Sequence, residues 1–129
     1  MPDALLDTTF FIDLHHGDGG ARQVWGRIDA GGITASYSVI TVFELWVSKG
    51  IPRSEELFYE SVFERLEIVS LSESASRRAA LWVRNIRSSV REALSRDALI
   101  TATAVERGEA VYTRNVRDFQ RFIPNTVRY

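Results

Sequence analysis

Five side chains that can ligate a metal ion or move a proton stand just after apolar segments or at the start of predicted helices. They are Asp7, Glu44, Asp97, Asn115 and Asp118. Asp7 ends an apolar run, Glu44 lies in the helix after the second predicted strand, and the last two follow the fourth predicted strand. Four separate segments can therefore bring a carboxylate or an amide to one edge of a sheet.

The chemistry of such a group follows from charge. Three or four carboxylates that converge without a partner repel one another and raise each other's pKa values. A divalent cation removes this repulsion, and hard carboxylate oxygens suit Mg²⁺ or Mn²⁺. A centre of this kind can activate water and stabilise both the attacking and the leaving oxygen of a phosphodiester. The residues thus point to metal-dependent hydrolysis, which needs neither cysteine nor a histidine base.

Each acid also has a structural role open to it. Asp7 can cap a helix that begins at the next residue. Glu44 completes the capping-box pattern Thr41-x-x-Glu44, and Asp97 in a first helical turn would be favoured by the helix dipole. Asp13 lies off the helix face of Asp7, and we expect it to be solvated or to act as a cap. If the acids only cap helices, the chain is a non-enzymatic partner- or RNA-binding α/β domain, and this alternative stays open here.

Strand-like and helix-like segments alternate along the chain. Short apolar runs predict strands at 4–6, 33–37, 66–69, 110–113 and 126–128. Amphipathic spacing and capping residues predict helices at 8–15, 21–30, 38 or 41 to 47, 54–65, 74–94, 97–107 and 115–119. This alternation predicts an α/β fold with a parallel sheet covered on both faces. In such sheets, ligands bind beyond the carboxyl ends of the strands, where the strand order reverses.

Length and composition favour one globular domain over residues 1–129, because 45% of the residues are hydrophobic and 26% are charged. The absence of cysteine excludes disulfide scaffolds, thiolate zinc sites and cysteine nucleophiles. No apolar run approaches the ~20 residues that span a bilayer, and the first residues lack the features of a signal peptide. We therefore expect a cytoplasmic protein that does not engage a membrane.

Charge is distributed unevenly along the chain. Residues 1–76 carry five cations and twelve acids, whereas residues 77–121 carry ten arginines and five acids. Arginine binds phosphate bidentately, so the basic part is either a solvated face or a surface that binds RNA phosphates. The arginines nearest the late acids are the candidates for RNA binding: Arg96, Arg114 and Arg117.

Four segments together resemble the motifs of PIN-domain ribonucleases. The segment 5–13 (LLDTTFFID) is similar to the opening strand that ends in Asp-Thr-Asn or Asp-Thr-Ser, and 40–45 (ITVFEL) to the motif Thr-x-x-Glu-Leu. The segment 97–104 (DALITATA) is similar to the third motif, and 113–119 (TRNVRDF) to the fourth. The match covers nearly the whole chain in order, and it is nearest to VapC-type toxins of type II toxin–antitoxin systems.

The resemblance implies a three-layer α/β/α sandwich around a mostly parallel sheet, and endonucleolytic cleavage of RNA with Mg²⁺ or Mn²⁺. The implied site residues are Asp7, Glu44, Asp97 and Asp118 as catalytic acids, the same four with Asn115 as metal ligands, and Thr8 and Thr113 as supporting groups. The fourth ligand comes from Asn115 or Asp118. The implied partners are an RNA substrate, a cognate antitoxin protein and a second copy of the chain.

Aromatic residues are numerous in the acidic first half, more so than its own core needs. They are Phe10, Phe11, Trp46, Phe58, Tyr59 and Phe63. Aromatic side chains are enriched at protein interfaces, so we expect some of them on exposed helical surfaces that bind a second copy or an antitoxin segment.

Overall fold

A computed structural model describes residues 3–123 and 125–129. Its strands form one five-stranded parallel sheet in the order β3-β2-β1-β4-β5. The strands are β1 (Asp3–Leu6), β2 (Thr34–Ser38), β3 (Glu67–Val69), β4 (Ala110–Tyr112) and β5 (Thr126–Val127). Every strand predicted from the sequence is present, and the predicted α/β class is confirmed.

Seven helices occur in the same described residues. They are α1 (Thr8–His15), α2 (Gly19–Asp29), α3 (Val39–Trp46), α4 (Arg53–Phe63), α5 (Glu73–Val83), α6 (Ser88–Arg107) and α7 (Val116–Gln120). None of these helices combines the length and the apolar character that crossing a bilayer requires.

The central strand β1 explains why helices cover both faces of the sheet. Successive side chains of a strand point to opposite faces, and Ala4, Leu5 and Leu6 are all fully buried. Ala4 and Leu6 belong to a core cluster with side chains of α1, α2 and α4. Leu5 packs in a second cluster that includes Ile100 of α6 and Phe119 of α7. The sheet is therefore the middle layer of an α/β/α sandwich, as the resemblance implies.

The strand order reverses between β1 and β4. The chain runs from β1 outwards through β2 to β3, and the last two strands lie on the other side of β1. Leu6 is paired with Tyr112 at the carboxyl ends of these two strands. The N–H of Asp7 donates to the carbonyl oxygen of Tyr112 over 3.0 Å and extends the ladder by one residue. This edge is where a ligand site is expected in a fold of this kind.

The helix predicted at 74–94 is wrong, because the structure divides that segment between two helices. Helix α5 is capped by Ser72, whose hydroxyl accepts the N–H of Ala75. It ends at Val83, and the Asn85 amide donates to the carbonyl oxygen of Leu81 near that end. Helix α6 then runs 20 residues to the left-handed cap at Gly108.

This division changes the position of Asp97. The sequence predicts that Asp97 opens a helix, but α6 begins nine residues earlier and Asp97 lies in its interior. No helix dipole favours an acid at that place, because the effect is confined to the first turn. The structural role proposed for Asp97 from its sequence position is therefore wrong.

The aromatic residues of the first half are not exposed. Phe10, Phe11 and Tyr59 are buried, and Trp46, Phe58 and Phe63 are partly buried and pack against the same core. The rings contact one another and Tyr37, which stacks on Phe63 with centroids 4.1 Å apart. The expectation that some of these six rings lie on exposed helical surfaces is wrong, because all of them belong to the core on one side of the sheet or pack against it. The exposed apolar side chains nearby are instead Val39 and Phe43 of α3 and Val47 at its C-cap.

Candidate active site

Asp7 is held in a clamp of three hydrogen-bond donors directly after β1. Its carboxylate is only 3% exposed. The Thr8 N–H donates to Oδ1 over 2.7 Å, and the hydroxyls of Thr9 and Thr113 both donate to Oδ2 over 2.9 Å. Burial and the negative charge of Glu44 raise the pKa of Asp7, and the three donors oppose this rise. Asp7 is thus the N-cap of α1 and also a buried, oriented acid at the switch point.

Glu44 is positioned by two hydroxyls rather than by a capping role. The Thr8 hydroxyl donates to Glu44 Oε1 over 2.6 Å, and the hydroxyl of the buried Thr41 lies 3.0 Å from that of Thr8. The cap of α3 is Ser38, whose hydroxyl accepts the N–H of Ile40. The capping-box interpretation of Glu44 is therefore wrong. Thr8 contacts both acids, since its N–H holds Asp7 and its hydroxyl holds Glu44.

Asp97 carries a carboxylate that has no hydrogen-bond donor and no ion-pair partner within the part of the chain that the structure describes. Burial raises the pKa of Asp97 to about 7, and the charges of Asp7, Glu44 and Asp118 contribute to this rise in that order. The four acids from four segments therefore act on one another electrostatically. An acid that is crowded in this way is typical of functional sites.

Asn115 and Asp118 lie on the other side of Asp7, beyond β4. Asn115 occupies the N-cap position of α7, but its side chain makes no capping hydrogen bond. Its N–H donates to Thr113 Oγ1 over 2.9 Å and so fixes the hydroxyl that holds Asp7. Asp118 is in the first turn of α7, where the helix dipole favours an acid, and its charge reaches Asp97.

The three candidate arginines have different surroundings. Arg96 lies at the rim, with its Nη1 4.0 Å from Glu44 Oε2 and its guanidinium 5.0 Å from the centroid of Phe43. A groove of about 470 Å³, lined in part by Glu44 and Arg96, adjoins this rim. Arg117 is exposed. Arg114 instead forms an ion pair with Asp13, with Nη1 2.6 Å from Oδ1.

Asp13 was expected to be solvated or to cap a helix, and this is wrong. The carboxylate is 6% exposed and accepts hydrogen bonds from Arg114 and from the hydroxyl of Tyr129. More than 100 residues separate Asp13 from both donors, so no local spacing in the sequence could reveal the contacts.

The contact of Thr41 with the Thr8 hydroxyl beside Glu44 is also absent from the sequence-based site. A weak sequence signal for it exists, because a threonine three residues before an acid lies on the same face of a helix.

The donor set suits a hard divalent cation. Carboxylate oxygens dominate it, the Asn115 amide adds a neutral oxygen, and neither sulfur nor imidazole is near. Across residues 3–123 and 125–129, no three acidic or histidine side chains already stand in an arrangement that could hold an ion. The observation that favours a cation is the electrostatic one, since Asp97 is half-buried beside three acids and has no ion-pair partner of its own among the described residues.

Comparisons with known proteins identify a family and a relative of this chain. The model of the family described as "PIN domain" matches residues 4–122. The chain is 30% identical over 118 residues to Ribonuclease VapC19 of Mycobacterium tuberculosis, a match that covers 92% of this chain and 93% of the relative.

Solved structures share the fold over almost the full length. A toxin–antitoxin complex from Klebsiella pneumoniae contains a chain that is 28% identical, with a TM-score of 0.70 over 96% of this chain and 95% of that one. DNA-bound VapBC from Salmonella typhimurium contains a chain that is 22% identical, with a TM-score of 0.72 over 100% and 98%. The family model and the relative over nine-tenths of the length show that this chain belongs to the PIN domain family.

Proposed function

We propose that this chain is a divalent-metal-dependent endoribonuclease, in one domain, and the toxin of a type II toxin–antitoxin pair. The 30% identical relative is named a ribonuclease, and the similar chain from Klebsiella comes from a toxin–antitoxin complex. The proposed cofactor is Mg²⁺ or Mn²⁺. Because the proposed substrate is RNA, we propose that the enzyme acts in the cytoplasm.

The placement of Asp97 is the observation that carries this proposal. Asp97 lies in the interior of α6, and its carboxylate is close to three other acids and has no partner among the described residues. Its negative charge destabilises the fold unless a cation compensates it. Neither Glu44 nor Asp97 caps a helix, so the non-enzymatic alternative keeps a structural role for Asp7 but loses the roles it gives to these two acids. Binding of a divalent metal ion would explain why these acids lie close enough to raise the pKa of Asp97.

Each site residue has a separate proposed task. Asp7, Glu44, Asp97 and Asp118 would hold the ion, and the Asn115 amide would add an oxygen ligand. A bound divalent ion lowers the pKa of water and balances charge on the phosphodiester oxygens. The hydroxyls of Thr9 and Thr113 keep the Asp7 carboxylate oriented, and the Thr8 hydroxyl does the same for Glu44.

RNA must approach a site that carries several negative charges. Arg96 and Arg117 are exposed and lie next to the acids in sequence, and we propose that they bind phosphates on either side of the scissile bond. Arg114 stays a candidate for the same role, and its guanidinium, although exposed, also forms an ion pair with the buried Asp13.

The partner proteins of this proposal are an antitoxin and a second copy of the chain. Helix α3 and its C-cap present Val39, Phe43 and Val47 at a spacing of four residues, and all three side chains are exposed. Such a stripe follows one side of a helix and supports an interface next to Glu44. Sedimentation should show a dimer at micromolar concentration, and a monomer would contradict this part of the proposal.

Cleavage of total RNA by matched variants tests the activity. Asp97→Asn removes the crowded charge, and Asp29→Asn makes the same change in an exposed acid that pairs with Arg65 at the surface. We expect the wild type and Asp29→Asn to produce discrete fragments with Mg²⁺ or Mn²⁺ and none with a chelator, and Asp97→Asn to be inactive although folded. Cleavage that is independent of metal, or equal in the two variants, would overturn the proposal.

A further inference from the structure

A buried charge outside the acid cluster links three segments that surround Asp7. Asp13 on α1 binds Arg114, which directly follows the clamp residue Thr113, and Tyr129, which follows β5. Because Asp13 is buried, its carboxylate loses its hydration, and the contacts with Arg114 and Tyr129 offset the free energy of that loss. Asp13 lies outside the set of acids proposed above to hold a metal ion.

The first connection from Asp13 to Asp7 runs through Tyr129. Its hydroxyl lies 2.6 Å from Asp13 Oδ2 and 3.3 Å from Thr9 Oγ1. Thr9 in turn donates its single proton to Asp7 Oδ2 over 2.9 Å. The shorter contact, to Asp13, takes the single proton of the Tyr129 hydroxyl. Tyr129 therefore acts on Thr9 by contact, because its oxygen limits the positions that the Thr9 hydroxyl can take while that hydroxyl donates to Asp7.

The second connection runs through the backbone. The ion pair between Asp13 and Arg114 fixes the residue next to Thr113, the other donor to Asp7 Oδ2. Arg128 also donates from Nη1 to the carbonyl oxygen of Arg114 over 3.0 Å. Both hydroxyls on Oδ2 are thus held by segments that Asp13 joins.

The position of Tyr129 is itself closely fixed. Its ring meets Phe10 edge-on with centroids 5.4 Å apart. Gly20 of α2 lets the chain pass, because a Cβ atom there would lie 2.6 Å from the Tyr129 carbonyl carbon. Burial and the hydrogen bond to Asp13 raise the pKa of Tyr129, so its hydroxyl stays protonated and can donate.

We infer that Asp13 and Tyr129 are positioning residues that orient the metal-binding carboxylate of Asp7 through the hydroxyl of Thr9. This inference rests on the proposed function, since it assigns a task within the same site. It adds residues that touch neither the substrate nor the ion.

The test compares two Tyr→Phe changes. Tyr129→Phe removes the bridging hydroxyl and keeps the ring on Phe10, and Tyr59→Phe removes a hydroxyl that donates to Glu55 on α4. The substrate is an oligoribonucleotide that contains a cleavage site mapped in total RNA, and calorimetry gives the affinity for Mn²⁺. We expect Tyr129→Phe to lower kcat about tenfold, the effect of one hydrogen bond to a charged group. It should also weaken Mn²⁺ binding several-fold and leave KM unchanged, while Tyr59→Phe changes none of these.

A double-mutant cycle shows whether the effect passes through Thr9. We expect Thr9→Val with Tyr129→Phe to be no worse than Thr9→Val alone, because interacting residues are not additive. The inference would be overturned if the losses of kcat in the two single variants multiplied in the double variant. It would also be overturned if Tyr129→Phe had the same kcat and Mn²⁺ affinity as Tyr59→Phe. If Tyr129→Phe does not fold, Asp13→Asn replaces it, since an amide can accept from only one of Tyr129 and Arg114. The same losses are then expected, and wild-type values would contradict the inference.

Measurements on the wild type distinguish a failure of the proposed function from a failure of the positioning role. A wild type that binds no Mn²⁺ and cleaves no RNA contradicts the proposed function and this inference with it. An active wild type whose Tyr129 and Asp13 variants keep their kcat and Mn²⁺ affinity contradicts this inference alone.

Discussion

Thr113 donates its hydroxyl proton to Asp7 Oδ2 over 2.9 Å and so joins the ends of two strands whose residues lie 106 positions apart. The contact spans the switch point between β1 and β4. It gives Asp7 a donor that a capping role at α1 does not require, because the Thr8 N–H already meets that need. The bond thus belongs to the site rather than to the helix.

Thr113→Val tests this bond, since valine keeps the shape of the buried side chain without its hydroxyl. The hydrogen bond lowers the pKa of Asp7, so its loss should raise that pKa and leave the carboxylate less ionised and less oriented. We expect kcat for RNA cleavage to fall roughly ten- to hundredfold, as for the removal of a hydrogen bond to a charged group. Thr113→Ser keeps the donor and should stay within about threefold of the wild type. Equal rates for the two variants would contradict the role given to Thr113.

The pH dependence of stability should reveal Asp97 in the metal-free protein. Folding raises the pKa of this carboxyl from 3.8 to about 7, so the folded state holds the proton more tightly than the unfolded state. Stability therefore falls as the pH rises from about 4 to 7, and the loss is complete above that window. Asp97→Asn cannot titrate, so we expect it to match the wild type near pH 4 and to be about 1–3 kcal/mol more stable at pH 8. Urea unfolding at the two pH values measures the difference.

Added metal should reverse this order. An ion that binds the folded state alone stabilises it by about 2.7 kcal/mol at a concentration 100 times its Kd. At pH 8, Mn²⁺ should stabilise the wild type and leave Asp97→Asn nearly unchanged. A wild type that is more stable than Asp97→Asn at pH 8 without metal would mean that Asp97 has a structural partner.

The salt dependence of RNA binding tests the arginines at the rim. The double variant Arg96→Glu, Arg117→Glu, made in an Asp97→Asn background that does not cleave, should bind RNA more weakly. The slope of log K against log salt should flatten by about 0.7 for each phosphate of a single strand that no longer binds an arginine. Arg78→Glu with Arg84→Glu is the matched control, because both arginines are exposed and lie on or next to α5. An unchanged slope in the first pair would mean that RNA approaches along another surface.

Much of this arrangement could be predicted from local patterns. The apolar runs located every strand, and the rule for parallel sheets placed Asp7 at the edge where β1 and β4 meet. Capping residues gave the start of α1 and the end of α6 at Gly108. These features depend on residues close in sequence, which is why one sequence suffices for them.

Other features depend on contacts that no spacing encodes. The segment between α5 and α6 has neither glycine nor proline, so its apolar periodicity continues through the break and hides the interior position of Asp97. Asp13 stands between Ile12 and Leu14 in the sequence, and the polar partners that allow its burial, Arg114 and Tyr129, are more than 100 residues away. Tertiary packing decides both cases.

Glu109 provides a buried acid that serves stability alone. It lies at the opposite edge of the sheet, is 4% exposed, and accepts hydrogen bonds from Ser36 and Arg107. Arg107→Ala leaves that charge without its cation and should destabilise the protein by about 3 kcal/mol. Because the change is remote from Asp7, kcat at a temperature where the variant is folded should equal the wild-type value. Thermal unfolding and RNA cleavage measure the two effects, and a tenfold loss of kcat would contradict the separation.

The most direct test of the account is the position of a metal ion in a crystal soaked with Mn²⁺, seen by anomalous scattering. We predict one strong peak at the carboxyl ends of β1 and β4. It should lie within about 2.5 Å of carboxylate oxygens from Asp7 and Asp97, with Glu44 and Asp118 next to them. The same soak of Asp97→Asn should give no peak there. A wild-type crystal with Mn²⁺ only at other surface acids, or with Asp7 and Asp97 carboxylates on different ions more than ~10 Å apart, would contradict a common metal centre.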